Sequence, residues 1–297
     1  MGESKKQMTK KQHYIPQFYL RYFLDNEGKV WMFDRLQEKI FSNVPQNICW
    51  NDWLYETPWE DANPKLGEFV LQNEIEKDFS GLEGESNTVL KRIIDVCEEP
   101  RNRNALICNT EDKKVLTKFV VNMLLRNPWS LEQAKVDALP EEVKENKEIQ
   151  SISQLFLDMG FGSANSLIKA ANKKVWLDGE YAESVPEQLV SELLGLNFSI
   201  LSSDKAVFVT SSFPVLYDTY DTEDGITHPQ MIYMPIHPHF AVLYTDNPIG
   251  KPYRNRTAVL SDNEVNRMNQ FYQRSDIGQL RFVISNKESV LKSLMTK

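Results

Sequence analysis

Cysteine, long apolar runs and secretion signals are all scarce or missing in this sequence. Its 297 residues include three cysteines, Cys49, Cys97 and Cys108, and neither a CxxC pair nor a zinc-binding spacing occurs. This usage predicts free thiols in a cytoplasmic protein rather than a disulfide-stabilised secreted domain. No secretory signal pattern precedes the first polar stretch, and no apolar run reaches the roughly 18 residues of a membrane-spanning helix. We therefore expect no membrane partner.

Acidic side chains outnumber basic ones over the whole chain, but not near its start. The formal net charge is -8, which argues against a surface coated in basic side chains for binding duplex nucleic acid. The first 23 residues nevertheless carry five basic side chains against one acidic side chain, namely Lys5, Lys6, Lys10, Lys11 and Arg21 against Glu3. Such a run predicts either a flexible basic tail over residues 1–10 or a contact with a nucleotide or nucleic acid.

The pattern of apolar residues predicts an α+β protein. A turn signal at Asn26–Gly28, followed by the short runs "VWMF" and "KIFSNV", predicts an N-terminal β-hairpin. Helical periodicity over about 60–197 predicts a central bundle, in which the two main helices run from Pro64 to Cys97 and over about 111–127. Short β-branched and aromatic runs over about 198–290, such as "AVFVTS" and "FAVLYT", predict a mainly antiparallel C-terminal sheet.

Weaker signals complete this outline. Pro16 favours a short helix over about 16–24, and the polar stretch 130–152 predicts an exposed helix or a linker. Further helices are expected over about 151–172 and 186–197, and around "NEVNRMNQFYQ". We expect one integrated domain over residues 11–297.

Charged residues on apolar helix faces are the most informative feature of the central bundle. Glu76 and Glu83 fall at a seven-residue spacing between Phe69 and Leu90, so they face the same way as these apolar residues. Arg126 lies eleven positions after Val115 and shares the apolar stripe of the second helix. Because a buried unpaired charge is costly, each of the three needs a partner.

The opening "KKQHYIPQFYLRYF" adds three polar groups that could meet these charges. His13 lies just before the predicted first helix, and Gln17 and Arg21 share one face of it at an i, i+4 spacing. One interpretation is a buried carboxylate–guanidinium network that fixes helix packing. The other is a site in which His13 acts as acid or base and Glu76 and Glu83 position water. In that site Gln17, Arg21 and Arg126 bind the substrate, with Arg21 or Arg126 holding its anionic group.

The cofactor of such a site stays open. Two carboxylates one or two helical turns apart would suit a divalent cation such as Mg²⁺, although nothing in the spacing demands one. His237 and His239 lie on one side of an extended segment, but no third ligand follows at a recognisable spacing, so we interpret them as a turn pair.

Common catalytic motifs are missing from the rest of the sequence. There is no G-x-S-x-G around Ser211 and Ser212, which we expect to satisfy turn backbone groups instead. A Walker A loop, a GxGxxG fingerprint and an HExxH motif are also missing, which removes the commonest nucleotide-binding and zinc-protease interpretations.

The order of several motifs resembles a known family. "QHYIPQFYLRYF", "VWMFDR", "LLRNP", "FVTSSFPV", "MPIHPHFAVLY" and "VNRMN" follow one another as in the bacterial proteins grouped as domain of unknown function family 4238. The resemblance covers about residues 11–286 and carries no assigned reaction. It marks a set of shared positions: His13, Pro16, Gln17, Arg21, Glu76, Glu83, Arg126, Ser211, Pro214 and Asn269. The family usually has Ser-Asp-Asn-Pro where this chain has "SSFP", so a carboxylate role at that loop is in doubt.

Two functions remain open at this stage. The first is a hydrolase acting on a phosphodiester or nucleotide, such as a nuclease used in bacterial conflict, with His13 as acid or base and the two glutamates holding a metal or water. The second is a non-catalytic ligand-binding or interaction protein whose polar cluster is structural. The sequence does not indicate an oligomeric state.

Overall fold

The structure is a computed structural model that describes residues 8–61, 65–99, 108–177, 185–221, 227–246, 256–275 and 278–296. It confirms the predicted α+β class, with a helical centre between an N-terminal hairpin and a mostly antiparallel C-terminal sheet. None of the helices in these ranges is long and apolar enough to cross a membrane.

The helices lie mainly in the middle of the chain. In chain order they are α1 (Gln17–Leu20), α2 (Glu74–Glu98), α3 (Thr110–Leu125), α4 (Pro128–Gln133), α5 (Glu141–Glu145), α6 (Lys147–Asp158), α7 (Ala164–Leu177), α8 (Val185–Gly195), α9 (Asp262–Arg274) and α10 (Glu288–Met295). Short 3₁₀ turns cover Arg21–Phe23 and Pro45–Asn47. Side-chain caps fix several starts: the Asn109 and Asn127 side chains accept backbone N–H bonds at α3 and α4.

The strands lie at the two ends of the chain. They are β1 (Lys11–His13), β2 (Val30–Asp34), β3 (Lys39–Asn43), β4 (Trp50–Asp52), β5 (Asn197–Ser202), β6 (Thr210–Ser211), β7 (Leu216–Asp221), β8 (Thr227–His237), β9 (Phe240–Thr245), β10 (Arg256–Val259) and β11 (Phe282–Ser285). They form a small antiparallel pair β1–β4, a four-stranded sheet β3-β2-β11-β6 and a five-stranded sheet β10-β5-β9-β8-β7. The β10–β5 contact is parallel, and the other pairings are antiparallel.

The predicted hairpin β2–β3 exists, but it is not a separate unit. Strand β11, near the C-terminus, pairs antiparallel with β2, with Val283 opposite Phe33. The two ends of the described chain therefore share one sheet. One continuous cluster of buried apolar side chains connects the helices to the sheets, and it includes Phe119 of α3 and Ile200 of β5.

Several predicted helix boundaries were wrong. The first helix is one α turn followed by a 3₁₀ turn, rather than a helix over 16–24. The long helix begins at Glu74 and not near residue 64, because Gln72 and Asn73 have positive φ angles of 48° and 67°. Phe69 therefore lies outside α2, in an isolated bridge with Pro58. Residues 62–64 lie outside the described ranges.

The polar region 130–152 agrees with the exposed-helix alternative, and the next predicted helix is divided. The region contains the end of α4, all of α5 and the start of α6, with a non-helical connection over 134–140. The predicted helix 151–172 is split into α6 and α7 at Gly160 and Gly162, whose φ angles are 76° and 81°. The stretch "AVFVTS" contributes only Thr210–Ser211 to a strand, whereas the buried strand β5 covers residues 197–202, at the start of the predicted β-rich part.

The end of the predicted basic tail is attached to the fold. Residues 1–7 of that prediction lie outside the described ranges. The Thr9 backbone N–H donates to Asn73 Oδ1 at 3.0 Å, and Lys10 forms an ion pair with Asp52 at 3.2 Å. Lys10 is therefore partly neutralised, which reduces the positive charge that it offers to a polyanion.

Candidate functional site

Three separate chain segments bring the predicted polar residues together. Strand β1, held by its pairing with β4, carries His13. Helix α2 carries Glu76 and Glu83 on one face, and α3 ends at Arg126, which is its C-cap. The connection runs through Arg126: one guanidinium nitrogen donates to Glu83 Oε1 at 2.8 Å and the other donates to the His13 backbone oxygen.

Arg126 is almost completely buried and bonded to protein groups on all sides. Its exposed fraction is 1%. Besides Glu83 and His13, it donates to Asn122 Oδ1 at 3.2 Å and to the Tyr55 hydroxyl at 3.3 Å. Its guanidinium also lies 4.3 Å from the ring centre of Phe79, within cation–π range. Four of the five N–H donors of a guanidinium are thus bonded within the protein. The predicted role of Arg126 in binding substrate stays a prediction.

Glu76 is the group in this cluster that the protein leaves unsatisfied. Its Oε1 atom is buried and has no hydrogen-bond partner among the described residues. Burial raises the pKa of Glu76 to about 7; the Arg126 charge opposes this shift, while the Glu83 and Glu56 charges add to it. A carboxyl group with such a pKa changes its protonation state near neutral pH, as a general acid or base must.

His13 takes part through two different groups. Its backbone oxygen faces Arg126, but its imidazole Nε2 lies 3.2 Å from the Gln46 backbone oxygen. Since that oxygen can only accept, Nε2 must carry the proton, and in the neutral ring Nδ1 is the free acceptor. Burial lowers the pKa of His13, and the Lys11 and Arg126 charges lower it further, so the ring is neutral at pH 7.

Lys11 lies beside His13, although the sequence analysis gave it no role in the site. The two residues are two positions apart on β1, so their side chains point to the same side. Lys11 Nζ donates to the same Gln46 oxygen at 3.0 Å and lies 4.1 Å from the ring centre of Trp50. The spacing Lys-x-His on a strand could have predicted that the two side chains are neighbours. Their common hydrogen-bond acceptor, the Gln46 backbone oxygen, is visible only in the folded structure.

The remaining two predicted residues lie apart from the bonded cluster. Gln17 is half-buried at the first position of α1, and Arg21 is exposed at the start of the following 3₁₀ turn. Within the described part of the chain, neither side chain bonds to His13, Glu83 or Arg126. Their predicted binding roles stay predictions. Because the helix tightens to 3₁₀ at Arg21, the expected i, i+4 face with Gln17 is not a continuous α-helical face.

A second buried network, which the sequence analysis missed, adjoins the first. Gln12 is fully buried; its amide nitrogen donates to Glu56 Oε1 at 3.1 Å and its oxygen accepts the Tyr55 backbone N–H at 2.7 Å. Glu56 Oε1 also accepts the Asn73 N–H, whereas Glu56 Oε2 is buried without a partner among the described residues. Glu56 lies in an irregular segment, so no periodic pattern marked it as inward-facing.

The described residues provide no preformed metal site. They contain no group of three or more His, Cys, Asp or Glu side chains that could hold a metal ion. Glu83 is already paired with Arg126, so of the two glutamates proposed for Mg²⁺ only Glu76 is unbonded. The expected divalent cation remains a prediction without a ligand set.

The other polar candidates have structural contacts. Ser211 Oγ bonds to the Phe213 backbone within its own turn, as expected. Ser212 Oγ instead accepts the backbone N–H groups of Arg281 and Phe282 at the start of β11, at 3.0 Å each. His237 Nδ1 accepts the His239 N–H at 3.2 Å across the β8–β9 turn, and burial lowers the pKa of His237 to about 4.

The cysteines and Asn269 also behave as structural residues. In the part of the chain that the structure describes, Cys49, Cys97 and Cys108 form no disulfide, as the sequence predicted. Asn269 is buried on α9 and connects the backbone groups of Val207 and Val209, at 2.8 and 3.0 Å.

Comparison with known proteins identifies the family of this chain. No curated protein and no solved structure matches the sequence significantly. One family matches residues 11–289, which is nearly the whole chain, and its description is "Protein of unknown function (DUF4238)". The residues brought together by β1, α2 and α3 all lie inside this range, and the chain therefore belongs to the DUF4238 family.

Proposed function

We propose that this protein is a cytoplasmic bacterial hydrolase that acts on a phosphodiester or a nucleotide, with Glu76 as its proton-transferring carboxyl group. The observation that carries the proposal is the unsatisfied, buried Oε1 of Glu76 together with a pKa of about 7. A purely structural network normally satisfies its buried polar atoms, so an unsatisfied titratable group favours a functional role.

The substrate class follows from the neighbours of His13. Lys11 and the His13 imidazole converge on the Gln46 oxygen, so a fixed positive charge lies beside a neutral base. An ammonium group binds phosphate as a point charge, and the free Nδ1 of His13 can accept a proton from an attacking water. We therefore place the proposed binding position of the nucleotide or nucleic acid on the side of β1 that carries the Lys11 and His13 side chains.

The proposed reaction is an acid–base hydrolysis. Water attacks phosphorus and gives its proton to His13 Nδ1, while the bond from phosphorus to the leaving oxygen breaks and Glu76 donates its proton to that oxygen. The negative charge of Glu83 raises the pKa of both groups, His13 and Glu76. Since the pKa of His13 is lowered and that of Glu76 is raised, a neutral His13 and a protonated Glu76 coexist just below pH 7.

The test uses the full-length protein and a panel of bis(4-nitrophenyl) phosphate, nucleotides and short oligonucleotides, with and without Mg²⁺. We expect Glu76→Gln to reduce turnover by roughly 100-fold or more with no loss of melting temperature. Glu85→Gln, an exposed position on the same helix, is the matched control and should leave turnover unchanged. No turnover of any substrate, or equal turnover by Glu76→Gln and wild type, would rule out this function.

A second candidate is a non-catalytic binding or interaction protein, and the bonding of Arg126 favours it. A guanidinium that donates to Glu83, Asn122, Tyr55 and a backbone oxygen holds β1 against α2 and α3 without any chemistry. In that case, substitutions at Glu83 and Arg126 should lower the stability of the fold. Neither the wild type nor a Glu76 variant should then turn over any substrate. Comparing melting temperatures with turnover for the same variants separates the two candidates.

A further inference from the structure

Helix α6 turns its more apolar face away from the protein. The face that packs on the body contains half-buried or buried residues, two of them polar: Ile149, Gln150, Ser153 and Leu157. The outward face is a stripe at helical spacing whose side chains are 36–58% exposed: Ile152, Leu155, Phe156 and Met159. A surface helix of a monomeric protein normally turns its more apolar face toward the core. The opposite orientation of α6 therefore indicates that another surface covers the stripe.

The turn after α6 extends the same surface. Phe161 is 58% exposed, and its ring packs edge-on against that of Phe156, with 6.3 Å between ring centres. We use the name α6 stripe for Ile152, Leu155, Phe156, Met159 and Phe161. Its edge carries the exposed, uncharged side chains of Ser151 and Gln154.

We propose that the α6 stripe binds the α6 stripe of a second copy of this chain, with the two helices antiparallel about a two-fold axis. The spacing of the helical part of the stripe is symmetric about the midpoint between residues 155 and 156. A two-fold operation through that point places Ile152 opposite the partner's Met159 and Leu155 opposite the partner's Phe156. The stripe is thus its own complement, as a two-fold interface requires.

Charge supports a protein partner over a bilayer. Interfacial membrane helices usually combine their apolar face with several Lys or Arg side chains on the polar face. Helix α6 contains Lys147 as its single basic residue, against Glu148 and Asp158. The neutral Ser151 and Gln154 at the edge of the stripe bring no like charges together in an antiparallel pair.

The available area sets the expected strength of the dimer. Each large apolar side chain that is about half exposed has on the order of 100 Å² of solvent-accessible surface. The five side chains of each stripe, in two copies, would therefore bury on the order of 1,000 Å² in total. That is near the lower limit for a specific interface. We therefore expect a reversible dimer with a dissociation constant in the micromolar range.

Sedimentation equilibrium of the full chain between about 1 and 100 μM tests the dimer. We expect a monomer–dimer equilibrium, and we expect Leu155→Glu to weaken it by on the order of 100-fold, because each dimer loses two central contacts and gains two buried charges. Leu36→Glu is the matched control, since Leu36 is 60% exposed in the β2–β3 turn. A monomer at all concentrations, or equal effects of the two substitutions, would overturn the proposal.

Two further measurements test the register and the alternative partner. Mixing Ile152→Cys and Met159→Cys proteins should give an oxidised cross-link absent from the wild type, whereas Ile152→Cys alone should give none. Cross-linking of Ile152→Cys with itself would overturn the antiparallel arrangement. In flotation with phosphatidylserine-containing vesicles, the wild type should stay unbound. Vesicle binding that Leu155→Glu abolishes would assign the stripe to a lipid surface instead.

Discussion

Replacing Arg126 with methionine is the sharpest test of how the central cluster stabilises the fold. Methionine keeps most of the apolar contact with Phe79 but removes the charge and all four hydrogen bonds. Breaking a buried ion pair by removing one partner costs about 3–5 kcal/mol, because it leaves the other charge uncompensated. Glu83 keeps 29% of its side chain exposed and can be rehydrated, so we expect the lower limit, about 3 kcal/mol.

Equilibrium urea unfolding followed by tryptophan fluorescence measures this cost, since the chain has six tryptophans. For a chain of this size, about 3 kcal/mol corresponds to a fall of about 5 °C in melting temperature. Lys292→Ala is the control, because Lys292 pairs with Glu288 on the surface and should contribute less than about 1 kcal/mol.

A double-mutant cycle separates the ion pair from the other bonds of Arg126. Glu83→Gln keeps an oxygen that can accept the Arg126 N–H, but it leaves the buried Arg126 charge without its carboxylate and should also cost about 3 kcal/mol. The coupling energy between the two sites should then be at least about 1 kcal/mol. If Arg126→Met costs no more than Lys292→Ala, the argument that Arg126 holds β1 to the helices is refuted.

Two other predictions concern single groups. Because the pKa of Glu76 rises from 4.5 to about 7 on folding, the folded chain keeps a proton that the unfolded chain loses between these pH values. The stability of the wild type relative to Glu76→Gln should therefore fall by about 3 kcal/mol from pH 4.5 to pH 7 and stay level above, as measured by unfolding at several pH values; a constant difference would contradict the raised pKa. Asn269→Ala should cost about 2–4 kcal/mol in the same assay, because it leaves the Val207 and Val209 backbone groups unpaired. Asn266→Ala, exposed on the same helix, should cost less than about 0.5 kcal/mol, and equal costs would contradict this role.

Part of the candidate site could be predicted from the sequence because it lies on regular helices. The seven-residue spacing of Glu76 and Glu83, and the position of Arg126 on the apolar stripe of α3, placed three charges on inward faces. Periodicity encodes such faces locally, and the Arg126–Glu83 bond follows from the two helices packing together. The hairpin β2–β3 and the helix α9 were recognisable for the same reason.

What the sequence determined by itself was therefore local: which segments form helices and strands, and which side of each is apolar. The tertiary structure alone decided the rest. Strand β11 joins the hairpin across nearly the whole chain, Glu56 turns inward from an irregular segment, and Gln46 presents its oxygen to Lys11 and His13. These contacts join residues far apart in sequence, and they form because burial of the whole core fixes strand register and loop position. No local pattern in the sequence encodes these long-range contacts. Neither the unsatisfied Glu76 nor the outward apolar face of α6 could therefore be predicted without the fold.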